Sequence, residues 1–186
     1  MFQNGLSGHL KYSIQIRVIN MLNRMYLMYQ DLSRNLHVHS VENVHTLQSV
    51  IAEKDIYLDQ GYIGSCTGGR EEDIAVAAKI LKGKHIPVYT RLIIVPASQE
   101  VMKACISKGY IQDLMDAGAT ITAPGLAACL GVHEGILAPG EVCITSTNRN
   151  FPGRMGSKEA SLYLASPAAV AASILNGKIT DPRQYL

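Results

Sequence analysis

Beyond about residue 40 the chain alternates short apolar runs, rich in β-branched residues, with longer stretches of helical periodicity. Ile56–Ile63 predicts a strand that ends at Gly64-Ser65-Cys66-Thr67-Gly68-Gly69. Glu71 to Lys82 predicts a helix with Ala75, Ala78, Ile80 and Leu81 on its apolar side. Glu71, Glu72 and Asp73 suit the positive N-terminal end of that helix, and Gly83 stops it. Val88–Pro96 predicts a strand around Leu92-Ile93-Ile94-Val95. Ser98 reads as the N-cap of a helix Gln99–Ser107, which ends near Gly109. A short helix Ile111–Ala117 leads to strands at Thr120–Ala123 and Glu141–Thr145. A last helix, Ala168–Leu175, has Pro167 in its first turn and runs to Gly177. Upstream, Leu10, Tyr12, Ile14, Ile16 and Val18 alternate like a strand, after which Ile19, Leu22, Met25 and Tyr26 take helical spacing.

Strands and helices in alternation, joined by short Gly-rich connections, predict an α/β fold: a three-layer, mostly parallel sheet with flanking helices. Ligands of such sheets gather outside the carboxyl ends of the strands. Three loops fall at predicted strand ends, Gly64–Arg70, Pro124–Gly131 and Ser146–Gly156.

Composition narrows the function classes. The 186 residues are 47% hydrophobic and 17% charged, which suits one domain with a core and excludes a disordered chain. The net charge of +2 calls for neither nucleic acid nor a membrane surface as partner. There is no apolar run of about 18 residues and no secretory signal pattern, so a cytoplasmic chain without a membrane span is expected. The 4 cysteines are too few for a disulfide framework and are expected as free, core or metal-bound thiols. Lys11, Arg17 and Arg24 are unaccompanied by any acidic residue before Asp31. Residues 1–28 therefore read as a basic, weakly structured N-terminal extension, and 29–186 as the α/β domain.

Each loop holds residues with chemistry. Cys66 lies just before a predicted helix N-terminus, a place that favours thiolate, although a small core thiol in a turn has the same pattern. Cys129 alone cannot make a metal site, but paired with Cys66 it can contribute to an iron–sulfur cluster, which takes thiolate ligands. His133 is either an outer donor to such a site or a surface histidine. Arg149 and Arg154, set among Asn148, Asn150 and hydroxyl residues, suit a carboxylate or phosphate, which guanidinium grips bidentately. Cys105 in a predicted helix and Cys143 in a predicted strand read as core residues.

Together these segments resemble the aconitase superfamily: IGSCTGGREEDIAVAAKILKGK (63–84), IVPAS (94–98), APGLAACLGVHEG (123–135), GEVCITSTNRNFPGRMG (140–156) and YLASPAAVAASILNGKITDPR (163–183). The similarity is to the C-terminal part of large subunits of the 3-isopropylmalate dehydratase and homoaconitase type. It covers about residue 30 onward, opening weakly with Gln30-Asp31-Leu32-Ser33 and Val41-Glu42-Asn43-Val44. The resemblance implies a hydro-lyase of leucine biosynthesis that interconverts 2-isopropylmalate and 3-isopropylmalate. It implies a [4Fe-4S] cluster held by three cysteines, with the free iron acting as a Lewis acid. Cys66 and Cys129 match two of those ligands, Leu126 stands at the third, and leucine cannot ligate iron, so cluster binding is expected to fail. Asn148, Arg149 and Arg154 match substrate-carboxylate positions, and Gly68 stands where asparagine is most common. The implied partners are the small subunit, which carries the catalytic serine base, and a chain with the missing N-terminal domains. The chain alone is expected to be inactive, as a broken-gene product or a split subunit. The alternatives are a homoaconitase- or aconitase-type hydratase subunit completed by another chain, and a non-catalytic polycarboxylate-binding domain.

Overall fold

The computed structural model describes residues 37–39, 44–46, 55–148 and 151–186, all within the compact unit Leu36–Leu186. The expected strand and helix before residue 27, the boundary at residue 28, and Arg149 lie outside the described residues.

Five parallel strands make the body of the sheet: β3 (Gln60–Gly64), β4 (Arg91–Val95), β5 (Thr120–Ile121), β6 (Val142–Thr145) and β7 (Ser161–Leu164). Two short strands, β1 (His37–His39) and β2 (Val44–Thr46), join antiparallel beyond β7. The order is β2-β1-β7-β6-β3-β4-β5. From β3 the chain therefore builds outward through β4 to β5, then returns to the other side of β3 and builds outward through β6 to β7. Such a reversal opens a crevice at the carboxyl ends of the two central strands. Here those are β3 and β6, paired with Tyr62 opposite Thr145.

The strands expected from Ile56 onward form, trimmed at their ends. The predicted Ile56–Ile63 becomes Gln60–Gly64, because Leu58 and Asp59 bond instead to Gly177 and Val142 as the chain enters the sheet. Strand β7 was not anticipated as an element, although Leu162 and Leu164 alternate with Ser161 and Tyr163.

The helices are α1 (Ser65–Gly68), α2 (Glu71–Leu81), α3 (Gln99–Ser107), α4 (Tyr110–Asp116) and α5 (Pro167–Asn176). Their ends follow local chemistry. Ser98 Oγ accepts from Val101 N at 3.3 Å and Ser166 Oγ accepts from Ala169 N at 3.2 Å. Pro167 opens α5 and Gly177, at φ 68°, closes it. On α2 the buried side is Ile74, Ala77, Ala78, Ile80 and Leu81, with Asp73 also enclosed. Ala75, expected there, is only half-buried.

Alternation along the strands separates two cores. Ile63, Leu92, Ile94 and Ile144 face α2, α3, α4 and α5 together with Ile74, Leu114 and Ile174. Gly61 lets α5 lie directly on β3, since a Cβ there would come within 2.3 Å of Ile174 Cγ1. The other face carries Tyr62, Ile93, Val95, Cys143 and Leu162. Among the described residues it is covered not by long helices but by irregular chain, including the 3-10 turn Ala127–Leu130, with Leu137 and Met155 packed inward. The third layer is thus made of the candidate site loops themselves. Cys105 and Cys143 are both fully buried, as expected of core residues. Burial pushes their thiols up, to about 11 and about 12 respectively.

Candidate functional site

The three loops singled out from the sequence are fastened to one another at the carboxyl ends of β3 and β6. The first leaves β3 through Ser65 at φ 62°, a conformation that costs a non-glycine residue about 1–2 kcal/mol. That kink starts α1 and leaves Cys66 exposed to solvent. Ser146, the first residue after β6, holds this loop from the side. Its hydroxyl accepts from Gly64 N at 3.2 Å and donates to Gly68 O at 3.0 Å. Gly68 makes the approach possible, because a Cβ there would lie 2.4 Å from Ser146 O. The glycine at this position is therefore a matter of contact between two loops as much as of a lost side-chain hydrogen bond. Ala97 N donates to Gly69 O at 2.8 Å and closes the far side.

The second loop enters its 3-10 turn through Ala127, at φ 43°. Cys129 N donates back to Leu126 O at 3.0 Å, and the same carbonyl accepts the Tyr62 hydroxyl at 3.2 Å. Tyr62 is fully buried in the middle of β3, and burial together with the neighbouring Cys129 thiol pushes its phenol well above the ordinary range. Cys129 is buried, whereas Leu126 is 45% exposed. His133 is exposed.

The third loop is strapped to the second. Leu137 N donates to Met155 O at 2.8 Å and Ser157 N donates to Leu137 O at 2.9 Å. These bonds carry Arg154 over the second cysteine, where its Nη2 donates to Cys129 Sγ at 3.7 Å. The Arg154 guanidinium also lies 5.5 Å from the centre of the exposed Phe151 ring. Among the described residues, the buried side-chain polar atoms without a hydrogen-bond partner are Thr67 Oγ1 and Arg154 Nε. One is in the first loop and one in the third. Buried donors are nearly always satisfied, so orphans in two adjoining loops mark a place for an acceptor.

The structure brings Arg154 onto Cys129, leaves Cys66 exposed on the first loop, and puts Asn148 exposed at the start of the third loop. Tyr62, Ser146 and Thr67 were not picked out as site residues. For Tyr62 the available signal was a polar-tipped aromatic within an apolar strand that runs straight into the cysteine loop. For Ser146 it was its place as the first loop residue after a strand.

The donors present do not fit a cluster held by three cysteines. Among the described residues no three His, Cys, Asp or Glu side chains gather as a metal site. Two thiols and a guanidinium remain. They can offer a sulfur nucleophile or soft ligand and a cationic hydrogen-bond donor to an anion.

The chain is 46% identical over 163 residues to the 3-isopropylmalate dehydratase large subunit 2 of Archaeoglobus fulgidus, covering 86% of this chain and 38% of that one. It is 53% identical over 131 residues to the 3-isopropylmalate dehydratase large subunit 1 of Methanopyrus kandleri, covering 70% and 31%. It is 46% identical over 144 residues to the homoaconitase large subunit of Thermus thermophilus, covering 77% and 34%. The chain therefore spans about a third of the length of the curated relatives it matches. The family model described as Aconitase family (aconitate hydratase) matches residues 15–177, beginning inside the segment expected to match nothing. A parallel α/β sheet, cysteine and arginine loops meeting at its switch point, and a family match over most of its length place this chain in the aconitase family.

Proposed function

We propose that this chain supplies one wall of a hydro-lyase site of the 3-isopropylmalate dehydratase type, the wall that grips a substrate carboxylate. Arg154 binds the carboxylate, Asn148 and Arg149 of the same loop are assigned to it as well, and the hydroxyl of Thr67 adds a donor. The observation that carries this reading is the pair of orphaned buried donors, Thr67 Oγ1 and Arg154 Nε. An ionised acceptor at Arg154 forms charge-assisted bonds with the guanidinium.

In this reading the dehydration that interconverts 2-isopropylmalate and 3-isopropylmalate, in leucine biosynthesis and in the cytoplasm, requires groups that these residues do not include. An acid–base group and the remaining walls come from a small subunit and from a chain equivalent to the rest of the large subunit. The residues assigned to the site include no acid–base pair, so the chain alone is proposed to bind without turnover. A hydroxytricarboxylate of the homoaconitase type is the second substrate reading, supported by the similarity to the Thermus thermophilus homoaconitase large subunit. A purely polycarboxylate-binding role is the reading that the incomplete cysteine set favours.

Calorimetric titration with 3-isopropylmalate tests the carboxylate assignment. The parent chain is expected to bind at one site, and Arg154→Gln to weaken binding by about 10-fold or more, the worth of one charged hydrogen bond. Equal affinity in parent and variant contradicts it.

A further inference from the structure

We propose that the cysteine site is a two-thiol, cluster-free form of this fold, and that the side chain at position 126 alone decides whether a [4Fe-4S] cluster binds. Leu126 immediately precedes the 3-10 turn Ala127–Leu130, which carries Cys129 three residues on. The Leu126 carbonyl is held twice, by Cys129 N at 3.0 Å and by the Tyr62 hydroxyl at 3.2 Å. The direction of the side chain at this position is consequently fixed by backbone contacts that do not depend on its being leucine.

Among the described residues no other takes over the missing donor. Cys105 lies in the helix-side core, across the sheet from the loops. Cys143 is fully buried in β6, where Gln60 Nε2 lies 3.9 Å from its sulfur. Among the described residues no three potential ligand side chains converge. What stands at position 126 is a large apolar side chain, 45% exposed, three residues before the buried Cys129, while Cys66 on the first loop is exposed. Because Leu126 is so exposed, a smaller residue there leaves little of the core behind.

The test is anaerobic reconstitution with iron and sulfide of the full chain, of Leu126→Cys, and of Leu126→Cys with Cys66→Ser, each checked by far-ultraviolet circular dichroism. Leu126→Cys is expected to hold about four irons and about four sulfides with broad visible absorption, whereas the parent and the double variant hold far less. Parent loading equal to that of Leu126→Cys overturns the proposal. So does a Leu126→Cys chain with unchanged dichroism that loads no more than the parent. Equal loading of the single and double variants overturns the assignment of Cys66. The inference rests on the ligand positions of the proposed site, but metal content reads those separately from the carboxylate titration at Arg154.

Discussion

Two of the residues that shape the site sit in left-handed backbone without being glycine: Ser65 at φ 62° and Ala127 at φ 43°. Each is adjacent to or within three residues of a cysteine, and such outliers persist where surrounding contacts over-determine them. Ala127→Gly is accordingly expected to leave the melting temperature unchanged or raise it. In an ordinary helix interior the same change costs about 1 kcal/mol, and a fall of that size in thermal unfolding would refute the strain. A second residue-scale effect concerns Asp73, which is buried at the first turn of α2 and accepts from Arg70 N at 3.0 Å. Burial pushes its carboxyl from 3.8 up to about 6. The fold thus prefers the neutral acid: its contribution is full below about pH 4 and is lost as pH rises through about 6, by about 3 kcal/mol in all. Asp73→Asn keeps an acceptor for Arg70 and removes the charge. Denaturant melts should show the variant more stable than the parent at pH 7.5 and equal to it at pH 4. A variant less stable at pH 7.5 rules this out.

At the scale of elements, the legible parts were those with local causes. Helix α3 starts and ends where Ser98 and the following periodicity put it, and α5 lies between Pro167 and Gly177 because cap chemistry is written in adjacent residues. Strand β7 escaped because four residues give too little alternation, and it forms by pairing with β6 from Val142↔Ser161 to Thr145↔Leu164 and with β1 at His39↔Leu164. Site residues divided the same way. Cysteines and arginines announce themselves by type, whereas Ser146 matters because β6 lies beside β3, a fact of topology. Non-local contact also governs Gly61: Gly61→Ala drives a methyl into Ile174 and is expected to cost about 1–3 kcal/mol by prying α5 from the sheet. An unchanged unfolding midpoint would show that α5 is free to shift. On the opposite edge, Arg91 donates Nη1 and Nη2 to Glu141 at 2.8 and 2.7 Å and Nε to Gln60 at 2.6 Å, joining β4 to β3 and to the residue before β6. The guanidinium holds the Glu141 carboxyl below its ordinary value, so this stabilisation is present at neutral pH and is lost as pH falls into the acid range.

At the scale of the whole molecule, the sheet sends its two halves in opposite directions from β3 and β6, and the layer over one face is built of the loops that carry Cys129 and Arg154. That layer exposes Leu126, Leu130, Val132, Ile136 and Phe151. The chain covers about a third of relatives that carry the same segments. In the proposed function it contributes the arginine and cysteine loops of a dehydratase site and is one thiol short of a working set. The most direct measurement is anaerobic turnover of 3-isopropylmalate by the chain mixed with a relative's small subunit and the remaining portion of its large subunit. No turnover is expected with the parent chain, and turnover is expected with Leu126→Cys. Turnover by the parent equal to that of Leu126→Cys would contradict it.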